Sequence, residues 1–188
     1  MNKYIHKIDY FINQLNEQTK LVLLSLPKQK VYEKGVYLLK EGAICKKSFA
    51  LESGIIRKFY VNEGKEITTE FYFKDDIALS FKSYISQEPS NEYLQVLEKT
   101  VVMETDYKDV QKSQNAHPEL IELELMFMQQ YVIWLDERLF HFHTLDAKQK
   151  YELILNKSPH IIQNSPLNYI SSYLGVSPET ISRIRASK

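Results

Sequence analysis

The sequence predicts an α+β protein in which an antiparallel β-roll with flanking helices is followed by a long helix and a C-terminal helix-turn-helix. Three observations lead to this fold class. Apolar and polar residues alternate over residues 67–73, which is typical of a strand. Apolar residues repeat in heptads over residues 121–142, which indicates a long helix. Two short helical patterns separated by a glycine turn follow at 169–185, so we expect units at 1–117, 118–143 and 144–188.

Composition and charge exclude several classes of protein. The chain has 188 residues, and its 24 lysines and arginines balance 24 aspartates and glutamates, so a polyanion must be met by a local basic patch. Cys45 is the single cysteine, which excludes an intrachain disulfide or a cysteine-ligated cluster. No segment approaches the roughly 18 consecutive apolar residues that span a bilayer, and the N-terminus lacks a signal-peptide pattern. We therefore expect a cytoplasmic protein without a membrane partner.

Short strands and frequent turns are expected in the first part of the chain. Residues 4–24 carry apolar side chains at three- and four-residue steps, which predicts a helix or a helix pair. After Pro27, β-branched and aromatic runs predict strands at 36–39, 49–51, 55–61 and 67–73, and further strands near 77–81, 93–97 and 101–104. The turn at 62–65 joins two of these strands into a hairpin. In its second strand, one face is expected to carry Ile67, Thr69, Phe71 and Phe73, and the other Thr68, Glu70 and Tyr72.

The long helix presents two apolar stripes. One has a strict 4-3 spacing and forms a predicted dimer seam of Ile121, Leu125, Met128, Val132, Leu135, Leu139 and Phe142. The other lies on a different side of the helix and comprises Leu120, Leu123, Phe127, Tyr131 and Trp134. A monomer in which the helix is buried on both sides is the alternative. Three heptads of strict period favour the homodimer, with the second stripe packed on the roll.

The C-terminal segment has the pattern of a DNA-reading helix-turn-helix. Ser177 is a good N-cap with Pro178 at the first helical position, and inward apolar residues leave the next polar residues exposed. Arginine suits guanine, glutamate suits cytosine, and hydroxyls suit phosphates. From residue 144 onward six basic residues face three acidic ones, a net charge of +3. The alternative is a structural hairpin with a surface ion pair. The candidate DNA-binding residues are Ser177, Glu179, Thr180, Ser182, Arg183 and Lys188.

Three stretches resemble the Crp/Fnr family of transcription regulators. KGVYLLKEGA at 34–43 and LESGIIRKFY with the following EGKE at 51–66 are similar to the family's cyclic-nucleotide-binding β-roll. YLGVSPETISRIR at 173–185 is similar to its DNA-reading motif. The resemblance implies that Glu179 and Arg183 read the major groove and that Ser177 and Thr180 contact phosphate. Pro178 stands where many members have another base-reading arginine, so we expect no base contact there.

The ligand site departs from the family pattern. The family's Gly-Glu pair falls on Leu79-Ser80 and its Arg-Ser or Arg-Thr pair on about Ser90-Asn91. No arginine lies between Arg57 and Arg138, so a bidentate phosphate clamp is missing and we expect an effector other than cAMP. Either another small molecule binds or the pocket is filled. The candidate effector pocket comprises Phe71, Phe73, Leu79, Ser80, Lys82, Ser90 and Asn91.

Other chemistry has little support in the sequence. His141 and His143 are two residues apart, so a helix points them to different faces and they make a poor metal chelate. No nucleophile elbow, zinc-protease motif or P-loop is present, and we expect neither an enzyme nor a metal site. The sequence predicts a dimeric DNA-binding transcription regulator that binds a palindromic operator, with an unidentified effector. The alternative is a sensor module that binds a small molecule or a protein and uses its C-terminal helices only for packing.

Overall fold

A computed structural model describes residues 12–186 of the chain. The strands are β1 (Lys28–Tyr32), β2 (Tyr37–Leu39), β3 (Lys47–Ser53), β4 (Ile56–Asn62), β5 (Lys65–Tyr72), β6 (Ile77–Ala78), β7 (Tyr93–Val96) and β8 (Thr100–Asp106). The helices are α1 (Glu17–Ser25), α2 (Phe81–Ser86), α3 (Tyr107–Ala116), α4 (Glu119–Thr144), α5 (Ala147–Lys157), α6 (Pro159–Asn164), α7 (Leu167–Leu174) and α8 (Pro178–Ala186). Among the residues described, none of these helices combines the length and apolar character needed to cross a bilayer.

The strands form two four-stranded antiparallel sheets, which confirms the predicted fold class. Their strand orders are β1-β8-β3-β6 and β2-β7-β4-β5. Alternate residues of both sheets point inward and build one apolar core that includes Phe49, Ile56, Leu94, Val96 and Val102, each at most 3% exposed. The pair of sheets is the predicted β-roll.

The predicted hairpin is formed by β4 and β5, but its alternation is interrupted. Glu63 and Gly64 both have positive φ angles, 50° and 75°, as a tight two-residue hairpin turn requires. The register then shifts between Lys58 and Phe59, so that Phe59 pairs with Thr68 while Lys58 pairs with Glu70. Thr69 is the extra residue of this β-bulge. The strict two-face alternation expected for residues 67–73 is therefore wrong, because a bulge reverses the faces midway along β5.

Several helix and strand limits differ from expectation for local reasons. The strand expected near 77–81 stops at Ala78, and α2 begins at Phe81. Helix α3 was not predicted; the Asp106 side chain caps it by accepting from Lys108 N at 3.0 Å. Helix α5 ends at Lys157, as predicted from Ser158 and Pro159. Pro159 is also the first residue of α6, which was not predicted, because proline is favoured at the first helical position. Of the helix expected at 4–24, residues 4–11 lie outside the described residues.

Helix α4 contains 26 residues and is about 39 Å long. Most of its second stripe faces the protein: Leu120 and Leu123 are buried and Tyr131 and Trp134 are half-buried, whereas Phe127 is exposed. The predicted seam faces outward, with exposed fractions of 59% for Val132 and 58% for Leu139. A single chain thus leaves most of the predicted seam uncovered.

Helices α5 to α8 pack on one another and also on the roll. Ile154, Ile170 and Ile181 from three of these helices share a second core with Ile55 and Phe71 of the roll. Strand β5 is consequently buried on both faces, because Tyr72 belongs to the first core and Phe71 to the second. This shared core fixes where the C-terminal helices lie relative to the roll.

Candidate nucleic-acid interface and effector pocket

The turn between α7 and α8 requires glycine. Gly175 has a φ of 67° and donates its N–H to the carbonyls of Ser171 and Ser172, which ends α7. A Cβ atom at this position would lie 2.7 Å from Cε2 of Phe142 on α4. The positive φ and the close aromatic ring both exclude a side chain. The tight turn then sets the angle at which α8 leaves α7.

Helix α8 begins with a side-chain cap and separates an inner from an outer face. The Ser177 hydroxyl accepts from Thr180 N at 3.2 Å and lies 3.1 Å from the Thr180 hydroxyl. Ile181 is fully buried in the core under α8. The outer face exposes the predicted base-reading residues Glu179 and Arg183 and the candidate DNA-binding residue Ser182.

The outer face of α8 carries two exposed charged side chains, Glu179 and Arg183. The pKa of Glu179 lies below its usual range, because its own backbone N–H, the Ser177 hydroxyl and then Arg183 stabilise the carboxylate. Arg185 forms hydrogen bonds within the chain: it donates to the Tyr151 hydroxyl at 3.2 Å and to the Ile162 carbonyl at 3.3 Å. Arg183 has no such hydrogen bond within residues 12–186. Five of the six predicted DNA-binding residues thus lie together on α8 and its cap, while Lys188 is outside the described residues.

The seven residues of the candidate effector pocket do not lie together in the structure. Ser80 and Ser90 meet in the roll, with their hydroxyl oxygens 3.0 Å apart, and Leu79 packs against the first core. Lys82 and Asn91 are exposed. Phe71 and Phe73 lie on the far side of β5, where their rings contact Tyr173 at 5.2 Å and His160 at 5.0 Å between centroids. These two phenylalanines are part of the contact with the C-terminal helices and are not brought near Ser80.

A buried ionic network, which the sequence analysis missed, occupies the roll beside Ser80. The Lys58 ammonium forms a salt bridge with Glu70 and lies 3.7 Å from a Glu92 carboxylate oxygen. The Ser80 hydroxyl donates to Glu92 at 2.6 Å, and the Tyr131 hydroxyl of α4 donates to Glu70 at 2.8 Å. One ammonium and two carboxylates give the network a net charge of −1.

Burial and charge act against each other at Lys58. Burial favours the neutral amine, but the adjacent carboxylates of Glu70 and Glu92 prevail and raise the pKa of Lys58 well above its usual range. Burial, followed by the charge of Glu70, raises the pKa of Tyr131 to about 12. Lys58 therefore stays charged and Tyr131 stays a donor, so the network couples the roll interior to α4.

Comparison with known proteins identifies the fold. No sequence-family model matches the chain, and no curated protein matches it. Among solved structures, the Thermus thermophilus catabolite activator protein is 16% identical, with a TM-score of 0.57 over 94% of this chain and 85% of that one. FixK2 from Bradyrhizobium japonicum is 14% identical, with a TM-score of 0.70 over 86% and 83%. A protein assigned to the Crp/Fnr family of transcriptional regulators, from Eubacterium rectale, is 18% identical, with a TM-score of 0.67 over 93% and 84%.

These structures define the class of architecture that the chain adopts. Each matches most of this chain, although few residues are identical. The chain has the fold of the Crp/Fnr regulators. The resemblance drawn from three sequence stretches is confirmed at the level of the fold.

The buried network leads to a stability prediction. Lys58→Met should lower the free energy of unfolding by about 3 kcal/mol, because Glu70 would remain buried, and Glu92 half-buried, without their cation. The double variant Lys58→Met/Glu70→Gln should recover most of this loss, since one carboxylate is then removed as well. Urea denaturation followed by circular dichroism measures both. Lys82→Met, which changes an exposed lysine, is the control and should match the wild type; an equally small effect of Lys58→Met would contradict the burial of the network.

Proposed function

We infer that the chain is a DNA-binding transcription regulator of the Crp/Fnr type that works as a homodimer in the cytoplasm. The observation that carries this inference is the outer face of α8, where Glu179, Ser182 and Arg183 are exposed on a capped helix behind a glycine turn. Groove-reading side chains need this exposure, and a packing hairpin does not. The structural neighbours support the inference, since they include a catabolite activator protein and a transcriptional regulator.

The exposed seam of α4 supports the homodimer. Its residues are apolar and follow a heptad spacing, yet several are more than half exposed in the single chain. Packing the same face of a second copy against it would bury both seams by one self-complementary contact. The seam residues in this proposal are Ile121, Leu125, Met128, Val132, Leu135, Leu139 and Phe142.

A dimer of this kind would read a palindromic operator. The two copies of α8 are related by the twofold axis, and adjacent major grooves on one side of the duplex are about 34 Å apart. Arg183 can donate to guanine and Glu179 can accept from cytosine. Ser177 and Thr180, at the helix start, would contact phosphates and set the position of α8. Lys188 remains a predicted phosphate contact.

The proposed effector is a small molecule other than cAMP. A cyclic phosphate is an anion, whereas the network beside Ser80 and Ser90 carries a net negative charge. Lys58 is already paired with Glu70, and Lys82 is exposed. Effector binding would have to rearrange this network, and Tyr131 would transmit the change to α4.

Assembly is tested by charges placed in the seam. Val132→Glu/Leu135→Glu should give a monomer of 22.2 kDa by light scattering, because four buried carboxylates would face one another in the dimer. The matched control is Ile133→Glu/Phe140→Glu, which adds the same charges to exposed apolar positions off the 4-3 spacing and should keep the dimer. An unchanged mass for the seam variant would assign the seam a role other than dimerisation.

Calorimetry tests the effector class. Titration of the full chain with cAMP or cGMP should show no binding in the micromolar range, because the site lacks an arginine clamp and is acidic. The same titration with a protein that binds cAMP serves as the positive control. Stoichiometric heat at low micromolar concentration would overturn the interpretation of Ser80 and Ser90.

DNA reading is tested by selection from random duplexes followed by titration. Arg183→Ala should weaken binding to the selected operator by about 1–3 kcal/mol and relax the preference at one base pair in each half-site. Thr180→Val is the comparison: it should weaken binding to all duplexes about equally, since a phosphate contact carries no sequence information.

Each outcome of the selection assigns a function. Enrichment of a palindrome that Arg183→Ala recognises less selectively supports base reading. Undiminished selectivity would make Arg183 a surface partner of Glu179. Failure to enrich any sequence would favour the sensor module without DNA binding.

A further inference from the structure

We propose that the DNA-reading unit, defined as α5–α8, is fastened to its own roll by a clamp on α7 and that this clamp fixes the separation of half-sites that the dimer accepts. The inference rests on the proposed function and adds a positioning role for residues that touch no DNA. The residues of the clamp are Arg57, Thr68 and Phe71 on the roll, and Tyr169, Ser172 and Tyr173 on α7.

Arg57 is the centre of the clamp. Its side chain is fully buried, and its guanidinium carbon lies 3.9 Å from the ring centre of Phe59 and 3.4 Å from that of Tyr169. The guanidinium also donates to Glu66 at 2.6 Å and to Gln95 at 2.8 Å, which fixes its plane. The Tyr169 ring therefore packs on a cation that the roll holds in place.

Edge strand β5 supplies a second attachment. Thr68 donates its backbone N–H to the Ser172 hydroxyl at 3.2 Å, and that hydroxyl donates to the Tyr169 carbonyl at 3.0 Å. One residue of α7 thus satisfies a backbone group that an edge strand would otherwise leave to water. Phe71 packs edge-on against Tyr173 beside this bond.

Helix α4 holds the opposite side of α7. The Arg138 guanidinium lies 3.9 Å from the ring centre of Tyr173 and donates to its backbone carbonyl at 3.3 Å. Phe142 lies under the glycine turn. Arg57 of β4 therefore packs on Tyr169, and Arg138 of α4 packs on Tyr173. The two tyrosines are four residues apart on α7.

The clamp determines a distance on DNA. Only Leu145 and Asp146 connect α4 to α5, and two residues alone would allow the unit to pivot. With α7 held by the roll and by α4, a pivot of the unit must break these hydrogen bonds and cation–π contacts, so α8 has one position in each protomer. A base pair inserted between half-sites moves one of them by about 3.4 Å and turns it by about 35°, which a clamped dimer cannot follow.

The test uses duplexes with the selected half-sites at the selected separation and at separations one base pair shorter or longer. The wild type should lose about tenfold or more in affinity on the altered duplexes, as for a mismatched contact. Tyr169→Leu removes the ring over Arg57. This variant should lose only about threefold or less in affinity on the altered duplexes, because its DNA-reading unit can change position relative to the roll. Fluorescence anisotropy titration measures each affinity.

Two variants control for general damage. Tyr169→Phe keeps the ring and should behave as the wild type. Tyr37→Leu makes the same change as Tyr169→Leu at a tyrosine that packs on Phe59 and Tyr93 within the roll, and it should keep the strict separation. Ser172→Ala, which removes the hydrogen bonds to Thr68 and to the Tyr169 carbonyl but keeps the Tyr169 ring, serves if Tyr169→Leu does not fold.

Hydrogen exchange without DNA separates this inference from the function on which it rests. Amides in residues 65–72 should exchange faster in Tyr169→Leu than in Tyr169→Phe, because α7 without the Tyr169 ring separates more often from β5 and takes Ser172 away from the Thr68 amide. Faster exchange with unchanged tolerance of separation would refute the positioning role while leaving DNA binding intact. Equal exchange in both variants would refute the clamp. If the wild type binds no duplex, the proposed function fails, and the positioning role fails with it.

Discussion

Two neighbouring buried cations on strand β4 hold the structure together. Arg57 points outward to α7, and Lys58 points inward to Glu70. A buried charge is tolerated only when partners surround it, and the partners here come from β5, β7, α4 and α7. Roll, long helix and C-terminal helices must therefore assemble together around β4. This requirement explains how a chain with an ordinary apolar content fixes the relative position of three structural units.

Long periodic patterns made the main elements predictable. The heptad spacing located α4 to within two residues at each end, and the cap at Ser177 located the start of α8. The short helices α3 and α6 were not predicted, because each depends on a single cap or proline that is equally consistent with a turn. Helices with a repeated apolar spacing could therefore be predicted from the sequence, whereas helices that depend on one cap or one proline could not.

The pocket residues were harder to predict because β5 is buried on both faces. When both faces of a strand carry apolar residues, the sequence pattern does not show which face points into the roll. Phe71 and Phe73 lie on the face that packs against the C-terminal helices. The Lys58–Glu70 pair was missed for a related reason. Counting back from the turn at 62–65 places Thr69 opposite Lys58, and only the bulge brings Glu70 there. Such a bulge has no sequence signature of its own, whereas the exposed residues of α8 follow from helical geometry alone.

The contact between Phe142 and Gly175 constrains how this protein can diverge. Phe142 lies in the seam of α4 and also fills the space under the turn before α8. A smaller residue at 142 would leave a gap beneath that turn, and any side chain at 175 would displace the ring. Substitutions at these two positions should therefore be inherited as a pair among descendants of this chain. A large aromatic residue 33 positions before a turn glycine is thus a mark by which relatives too distant for ordinary sequence comparison can be recognised.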